Sequence, residues 1–108
     1  MAKMYFVFCD VRTDGKWGRM YMGHRATEKA TVNLAKDSLY KTGGGMAAVV
    51  WYSYDSLKNC KDSWIFGVKR SGTIDRGWMS SFDDSFWPQA RKVIREGKEI
   101  PIGKMFWL

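Results

Sequence analysis

Two apolar, aromatic runs constrain the fold of this chain more than any other feature. Ala48–Tyr54 and Trp64–Val68 are separated by a polar connector rich in Asp, Ser, Lys and Asn. Two such runs joined by polar residues are typical of neighbouring β-strands. Within each run successive residues, rather than alternate ones, are apolar, so side chains on both faces of the predicted sheet need to be covered or used.

The N-terminal segment predicts a β-hairpin. Met4–Thr13 is rich in Phe, Tyr and Val, and the Asp14-Gly15 pair that follows is favoured in tight turns, so Trp17–Gly23 is expected to return beside the first strand. Alternation along the first strand separates two sets of side chains, and it does not decide which set is inside. One set is Tyr5, Val7, Cys9 and Val11, and the other is Met4, Phe6 and Phe8.

Two helices are predicted between the remaining strands. Thr27 is a candidate N-cap for a helix through Lys41, which the glycines Gly43–Gly45 then end. A second helix is predicted from Asp83–Ser85 through Glu96, with a basic stripe of Arg91, Arg95 and Lys98 on its outer side. The apolar segment Ile102–Leu108 is expected to form a final strand, because a loose tail of this kind would aggregate.

These elements predict one α+β domain over residues 1–108. The order is strand, strand, helix, strand, strand, helix, strand, and without the early return strand it is the split βαβ order of ferredoxin-like domains. We therefore expect an antiparallel sheet of four to five strands, with two helices on one face and an extra N-terminal hairpin strand. The other face is left open, so one aromatic set lacks an obvious cover.

Charge and cysteine content limit the kinds of partner and the cellular compartment that are expected. The chain has 18 Lys and Arg against 11 Asp and Glu, which gives a net charge of +7. This charge favours an acidic partner such as nucleic acid or an acidic protein. Because the basic residues are spread along the chain, the charge is also compatible with a role in solubility alone. The two cysteines do not make a disulfide framework, and no signal-like N-terminus or apolar run long enough to span a bilayer is present. A soluble, cytoplasmic protein without membrane partners is expected.

Residues for catalysis are scarce. His24 is the one histidine, and pairing with Cys9 or Cys60 would be needed to activate a thiol, which the spacing does not indicate. One His and two separated Cys match no metal-ligand spacing. Asp83-Asp84 before a predicted helix is better explained as capping than as a catalytic pair. We therefore predict no enzymatic activity, no metal and no cofactor.

The aromatic content, 16% of residues, points to binding because two short helices cannot cover every ring. A protein-docking surface is predicted from residues in the sheet and in the loop at Ser71–Ser81. These are Phe6, Phe8, Tyr52, Tyr54, Trp64, Arg76 and Trp78. A nucleic-acid surface is the alternative, with backbone contacts from Lys69, Arg70, Arg91, Arg95 and Lys98 and base stacking by the sheet aromatics. Closure of a homodimer is a third use of such a surface.

The segment WIFGVKR, Trp64–Arg70, resembles the aromatic strand motif of the RNA recognition motif family. That motif places a basic residue and a glycine ahead of its first aromatic, whereas Gly67 here follows Phe66, so membership of the family does not follow. In general character the chain is similar to phage or mobile-element accessory proteins, including inhibitors of host defence. We predict a stoichiometric inhibitor or accessory factor that docks on a protein, or on a nucleoprotein complex, of a nucleic-acid-handling or host-defence machine.

Overall fold

In a computed structural model of the protein, the described residues are 3–53, 63–77, 92–93 and 100–107. Six strands and one helix lie within them. In chain order these are β1 Lys3–Thr13, β2 Lys16–Arg25, α1 Glu28–Thr42, β3 Met46–Ser53, β4 Ser63–Lys69, β5 Ile74–Asp75 and β6 Met105–Trp107.

The six strands form one antiparallel sheet in the order β5-β4-β3-β1-β2-β6. β1 lies between β2 and β3 and pairs antiparallel with both, so β2 and β3 run parallel to each other. α1 joins these two parallel strands and packs mainly against β1, with further contacts to β2 and β3. The helix therefore covers the centre of the sheet on one face.

The predicted ferredoxin-like arrangement is wrong. The described residues contain six strands and one helix rather than four to five strands with two helices. The tight Asp14-Gly15 turn places β2 against one edge of β1, and β3 takes the other edge, so neither edge is left for a strand from later in the chain. The second predicted helix lies outside the described residues except for Lys92 and Val93, which are helical.

The predicted hairpin turn, the Thr27 cap and the glycine stop of the first helix are confirmed, and the helix ends at Thr42, one residue after the predicted Lys41. Asp14 and Gly15 both have positive φ, 51° and 78°, as a two-residue hairpin turn requires. The Thr27 hydroxyl accepts a hydrogen bond from the Ala30 N–H at 3.3 Å, and Gly43, at φ 75°, donates its N–H to the Leu39 carbonyl. No helix in the described ranges is long and apolar enough to cross a membrane.

The helix-facing side of the sheet holds one apolar cluster. Three alternate residues of β1 contribute to it, which settles the parity that the sequence left open. The buried members are Tyr5, Val7, Cys9, Ala35, Leu39, Ala47, Val49, Phe66 and Val68. Ala35 and Leu39, one helical turn apart on α1, are both fully buried, and burying a side chain the size of leucine stabilises a fold by about 1.5–3 kcal/mol.

The opposite side of the sheet is also covered at its centre, so the expectation of an open face is wrong there. Its buried members are Phe8, Tyr21, Ala48, Val50, Ile100 and Phe106, with Val93 packed against them. Phe8 and Phe106 meet edge to face with centroids 5.8 Å apart. Residues from the last part of the chain therefore cover the aromatic set for which the sequence offered no cover.

An ion pair is buried beside this second cluster. Arg19 on β2 is paired with Asp10 on β1, and the Arg19 Nε donates to the Asp10 Oδ1 at 2.7 Å. The Arg19 side chain is fully buried, and the Asp10 side chain is 25% exposed. Burial lowers the pKa of the Arg19 guanidinium, and the Asp10 carboxylate opposes that shift. The carboxylate is thus needed to keep a charge inside the fold.

We predict that Asp10→Asn lowers the free energy of unfolding by about 3 kcal/mol, because it removes a carboxylate that is ion-paired with a buried guanidinium. Asp14→Asn is the matched control: it removes the same charge at an exposed turn residue whose positive φ asparagine tolerates. Urea denaturation of both variants measures the difference. Equal stability of the two variants would show that the Asp10 carboxylate is not required.

Candidate functional site

Three aromatic rings meet on the helix-facing side of the sheet. Tyr5 on β1 is paired with Trp51 on β3, and their ring centroids are 5.8 Å apart. Tyr5 also contacts Phe66 on β4, edge to face at 6.4 Å. Tyr5 and Phe66 are almost fully buried, whereas Trp51 is half-buried. The antiparallel register of three strands therefore brings together rings that are distant in the sequence.

Arg76 covers the edge of this aromatic group. The short strand β5 pairs with β4 through Gly67 and Val68, which brings the following residue, Arg76, back over the Phe66 ring. Its guanidinium carbon lies 5.6 Å from the ring centroid, within the range of a cation–π contact. Nη2 also donates to the Glu28 Oε1, across 48 residues of sequence. The Arg76 side chain nevertheless remains 64% exposed.

We call Tyr5, Glu28, Trp51, Phe66 and Arg76 the arginine–aromatic site. A shallow recess of about 150 Å³ opens at it, lined by Trp51, Ile65, Phe66 and Arg76. The recess is smaller than the roughly 300–1,000 Å³ typical of small-molecule pockets, but it is large enough for part of one side chain. Its apolar floor and charged rim are the arrangement found where a protein anchor residue is bound.

The charges of the site are balanced. Burial raises the pKa of the Tyr5 phenol, the Glu28 carboxylate raises it further, and the Arg76 guanidinium acts in the opposite direction. Tyr5 is therefore a neutral phenol at physiological pH. The ion pair leaves the guanidinium with additional N–H donors, since arginine carries five. An incoming carboxylate or backbone carbonyl could be bound by these donors while an apolar group contacts the rings.

The structure brings one residue of the predicted docking set into this site, Arg76. Phe8 is fully buried in the opposite cluster and is not accessible, and Phe6 is half-buried on that same side, where it contacts Tyr21 and His24. The backbones of Tyr52 and Trp64 lie in β3 and β4. Tyr54 and Trp78 lie outside the described residues.

The two described residues of the predicted nucleic-acid set lie elsewhere. Lys69 and Arg70 are exposed at the end of β4, where the Arg70 Nε donates to the Gly44 carbonyl at 2.6 Å next to the C-terminus of α1. They do not join the arginine–aromatic site. Arg91, Arg95 and Lys98 lie outside the described residues, so the predicted basic stripe is not tested.

Four members of the site were not predicted from the sequence: Tyr5, Glu28, Trp51 and Phe66. The sequence predicts only a strand face for Tyr5 and no binding role for Glu28. Phe66 enters only a motif comparison, and Tyr52 and Tyr54 are predicted in place of Trp51. The missing information was strand pairing, because the approach of Tyr5 to Trp51 depends on β3 lying next to β1 in a particular register. Sequence spacing carries no signal for a pairing across 46 residues.

The thiol–imidazole pair considered from the sequence does not form between His24 and Cys9. Cys9 is buried in the helix-facing cluster, whereas His24 contacts Tyr21 and Phe6 of the opposite cluster. Burial raises the pKa of the Cys9 thiol to about 12, which suppresses the nucleophilic thiolate. Within the part of the chain that the structure describes, no group of three or more His, Cys, Asp or Glu side chains is placed to hold a metal ion.

Comparisons of the chain with protein-family models, with curated proteins and with solved structures give no significant match.

The buried Cys9 thiol predicts a loss of stability at alkaline pH. Its pKa rises from an ordinary value near 9 to about 12 on folding, so its contribution is fully present below pH 9 and is lost as the pH rises towards 12. In a Cys60→Ser background, the free energy of unfolding should fall by about 1.4 kcal/mol per pH unit in this window owing to Cys9. Urea denaturation as a function of pH measures it.

Cys9→Ala in the same background is the comparison variant. It should be less stable at pH 7, because it leaves a cavity, but its alkaline slope should be shallower by that amount. An unchanged slope would show that the Cys9 thiol is not held neutral by the fold.

Proposed function

We propose that this protein is a non-catalytic binding module that docks on a protein partner through the arginine–aromatic site. The observation that carries the proposal is the exposed Arg76 guanidinium, which is held over Phe66 by a cation–π contact and an ion pair beside the half-buried Trp51. Arginine, tryptophan and tyrosine are the residues that most often dominate binding energy at protein interfaces. An arginine already held in position loses less side-chain entropy on binding.

A protein partner is favoured over nucleic acid at this site because of Glu28. Its carboxylate contacts the guanidinium directly, so an approaching phosphate would meet a negative charge beside the only cation that faces the rings among the described residues of the site. Balanced charge and an apolar floor suit a protein surface with an apolar anchor and a hydrogen-bond acceptor. A strongly charged phosphate backbone is bound better by unbalanced positive charge.

The net charge of +7 favours a partner whose surface is acidic, since complementary charge speeds association and selects among partners. The role we propose is stoichiometric inhibition of, or assistance to, a nucleic-acid-handling or host-defence machine. Support for that role comes from the small, basic, aromatic-rich character of the chain and the scarcity of catalytic side chains in its sequence. The compartment we propose is the cytoplasm.

Arg76→Ala tests the site. We expect it to weaken the complex by about 2 kcal/mol or more, roughly thirtyfold in Kd, with little change in fold stability because the ion pair it removes is largely exposed. The partner is first captured on immobilised protein from a nuclease-treated lysate, and titration calorimetry then measures the affinities of the purified pair. Lys36→Ala is the control, since it removes one positive charge from an exposed residue of α1, about 12 Å along the helix from Glu28.

A charge swap separates binding from folding. Glu28→Arg combined with Arg76→Glu restores an ion pair within the chain but removes the guanidinium from the Phe66 ring, so it should fold normally and bind as poorly as Arg76→Ala. Retention of the partner by Arg76→Ala would overturn the proposed site. Loss of the captured protein on nuclease treatment would instead favour the alternative, direct nucleic-acid binding.

A further inference from the structure

A second exposed aromatic side chain lies at the other end of the sheet, beside the β1–β2 turn. Trp17 is 51% exposed and is paired with Arg12 on the neighbouring strand β1. The guanidinium carbon of Arg12 lies 5.8 Å from the centroid of the Trp17 ring. The indole therefore already makes a cation–π contact with Arg12, while about half of the Trp17 side chain is exposed to solvent. Nothing in the proposed protein-docking site uses this pair.

A recess of about 270 Å³ adjoins the indole. We call it the hairpin-end recess; it is lined by Asp10, Val11, Arg12, Trp17 and the turn Thr42–Gly44. Gly43 and Gly44 carry no side chains, so the backbone at the end of α1 forms one wall. The dimensions suit one planar ring lying against the indole better than an extended small molecule.

The positive charge around this recess is not balanced as it is at Arg76. The exposed side chains of Lys16 and Lys41 are adjacent in the chain to lining residues, and Arg70 is fixed beside the turn by its hydrogen bond to the Gly44 carbonyl. Arg12 adds a fourth cation. Three acids lie near these cations: Asp10, whose carboxylate is already paired with Arg19, Asp14 in the turn, and Asp37, one helical turn before Lys41.

The carbonyl groups at the C-terminus of α1 would ordinarily repel an anion. Here the Leu39 carbonyl accepts the Gly43 N–H, and the Gly44 carbonyl accepts the Arg70 guanidinium at 2.6 Å. Both of these carbonyl oxygens therefore accept a hydrogen bond, and the Gly44 carbonyl also holds the Arg70 guanidinium in place. The Arg70 guanidinium held there offsets part of the negative end of the helix dipole.

We propose that the hairpin-end recess binds single-stranded nucleic acid, with a base stacked on Trp17 and the flanking phosphates contacted by Arg12 and Arg70. An aromatic face combined with cations that follow a backbone is the usual basis of sequence-tolerant single-strand binding. Complementary charge selects this occupant over an apolar protein segment. The site is independent of the arginine–aromatic site, so a module with both could dock on a protein while it holds the nucleic acid that the protein handles.

Fluorescence anisotropy with labelled oligothymidylate and oligouridylate of about ten nucleotides tests the proposal. Wild-type protein should bind at about 50 mM salt, and log Kobs should fall linearly with log salt. Trp17→Ala should weaken binding about tenfold or more, and Trp17→Phe should retain most of the affinity. Arg12→Gln and Arg70→Gln should each reduce the magnitude of the salt slope by about 0.7. Comparison of the two oligonucleotides distinguishes DNA from RNA.

Arg25→Gln is the matched control, because it removes the same charge from an exposed residue at the opposite end of β2 from Trp17 and should leave affinity and slope unchanged. Thermal unfolding establishes that each variant is folded. The proposal is overturned if wild-type protein fails to bind either oligonucleotide at about 50 mM salt. It is also overturned if folded Trp17→Ala binds as tightly as wild type, or if polyglutamate competes as well as oligothymidylate at equal charge, since stacking would then contribute nothing.

Discussion

Strand β1 is hydrogen-bonded on both edges and carries buried apolar side chains on both faces. The other elements are arranged so that both of these faces are covered. Val7 and Cys9 face α1, whereas Phe8 between them faces the cluster that contains Ile100 and Phe106. All three side chains are fully buried. A strand in this position requires a layer on each side, because apolar surface left in water costs roughly 25 cal/mol per Å². One layer is supplied by the helix and the other includes the last part of the chain.

Both candidate sites lie where these layers end. The arginine–aromatic site adjoins the first turn of α1 through Glu28, and the hairpin-end recess adjoins its last turn through Thr42. At each end an arginine lies against an aromatic ring, Arg76 on Phe66 and Arg12 on Trp17. The two sites differ in charge: a carboxylate neutralises the first arginine, whereas further cations surround the second. This difference is why we assign them to different kinds of partner.

The buried Cys9 thiol and the buried Asp10–Arg19 ion pair are part of the packed interior of the fold. Cys9 is held as a neutral thiol by burial, and Arg19 is held as a cation beside Asp10. A buried ion pair is seldom more stabilising than an apolar pair of the same shape, but it becomes costly once one partner is missing. The observed register of β1 against β2 places Asp10 and Arg19 opposite each other near the turn, and the ion pair favours that register. That register in turn positions Arg12 opposite Trp17 at the hairpin-end recess.

Local chemistry in the sequence determined the elements that depend on neighbouring residues. These are the Asp14-Gly15 turn, the Thr27 cap, the glycine stop at Gly43 and the alternation along β1, each set by φ preferences or hydrogen bonds within a few residues. Tertiary structure decided which strands lie side by side, which face of β1 meets the helix, and that Trp51 joins Tyr5, Phe66 and Arg76. The physical reason is that hydrogen bonding between strands is the same for any pair of backbones, so the order of strands is chosen by how all the apolar faces are buried together, and no single segment of the chain contains that information.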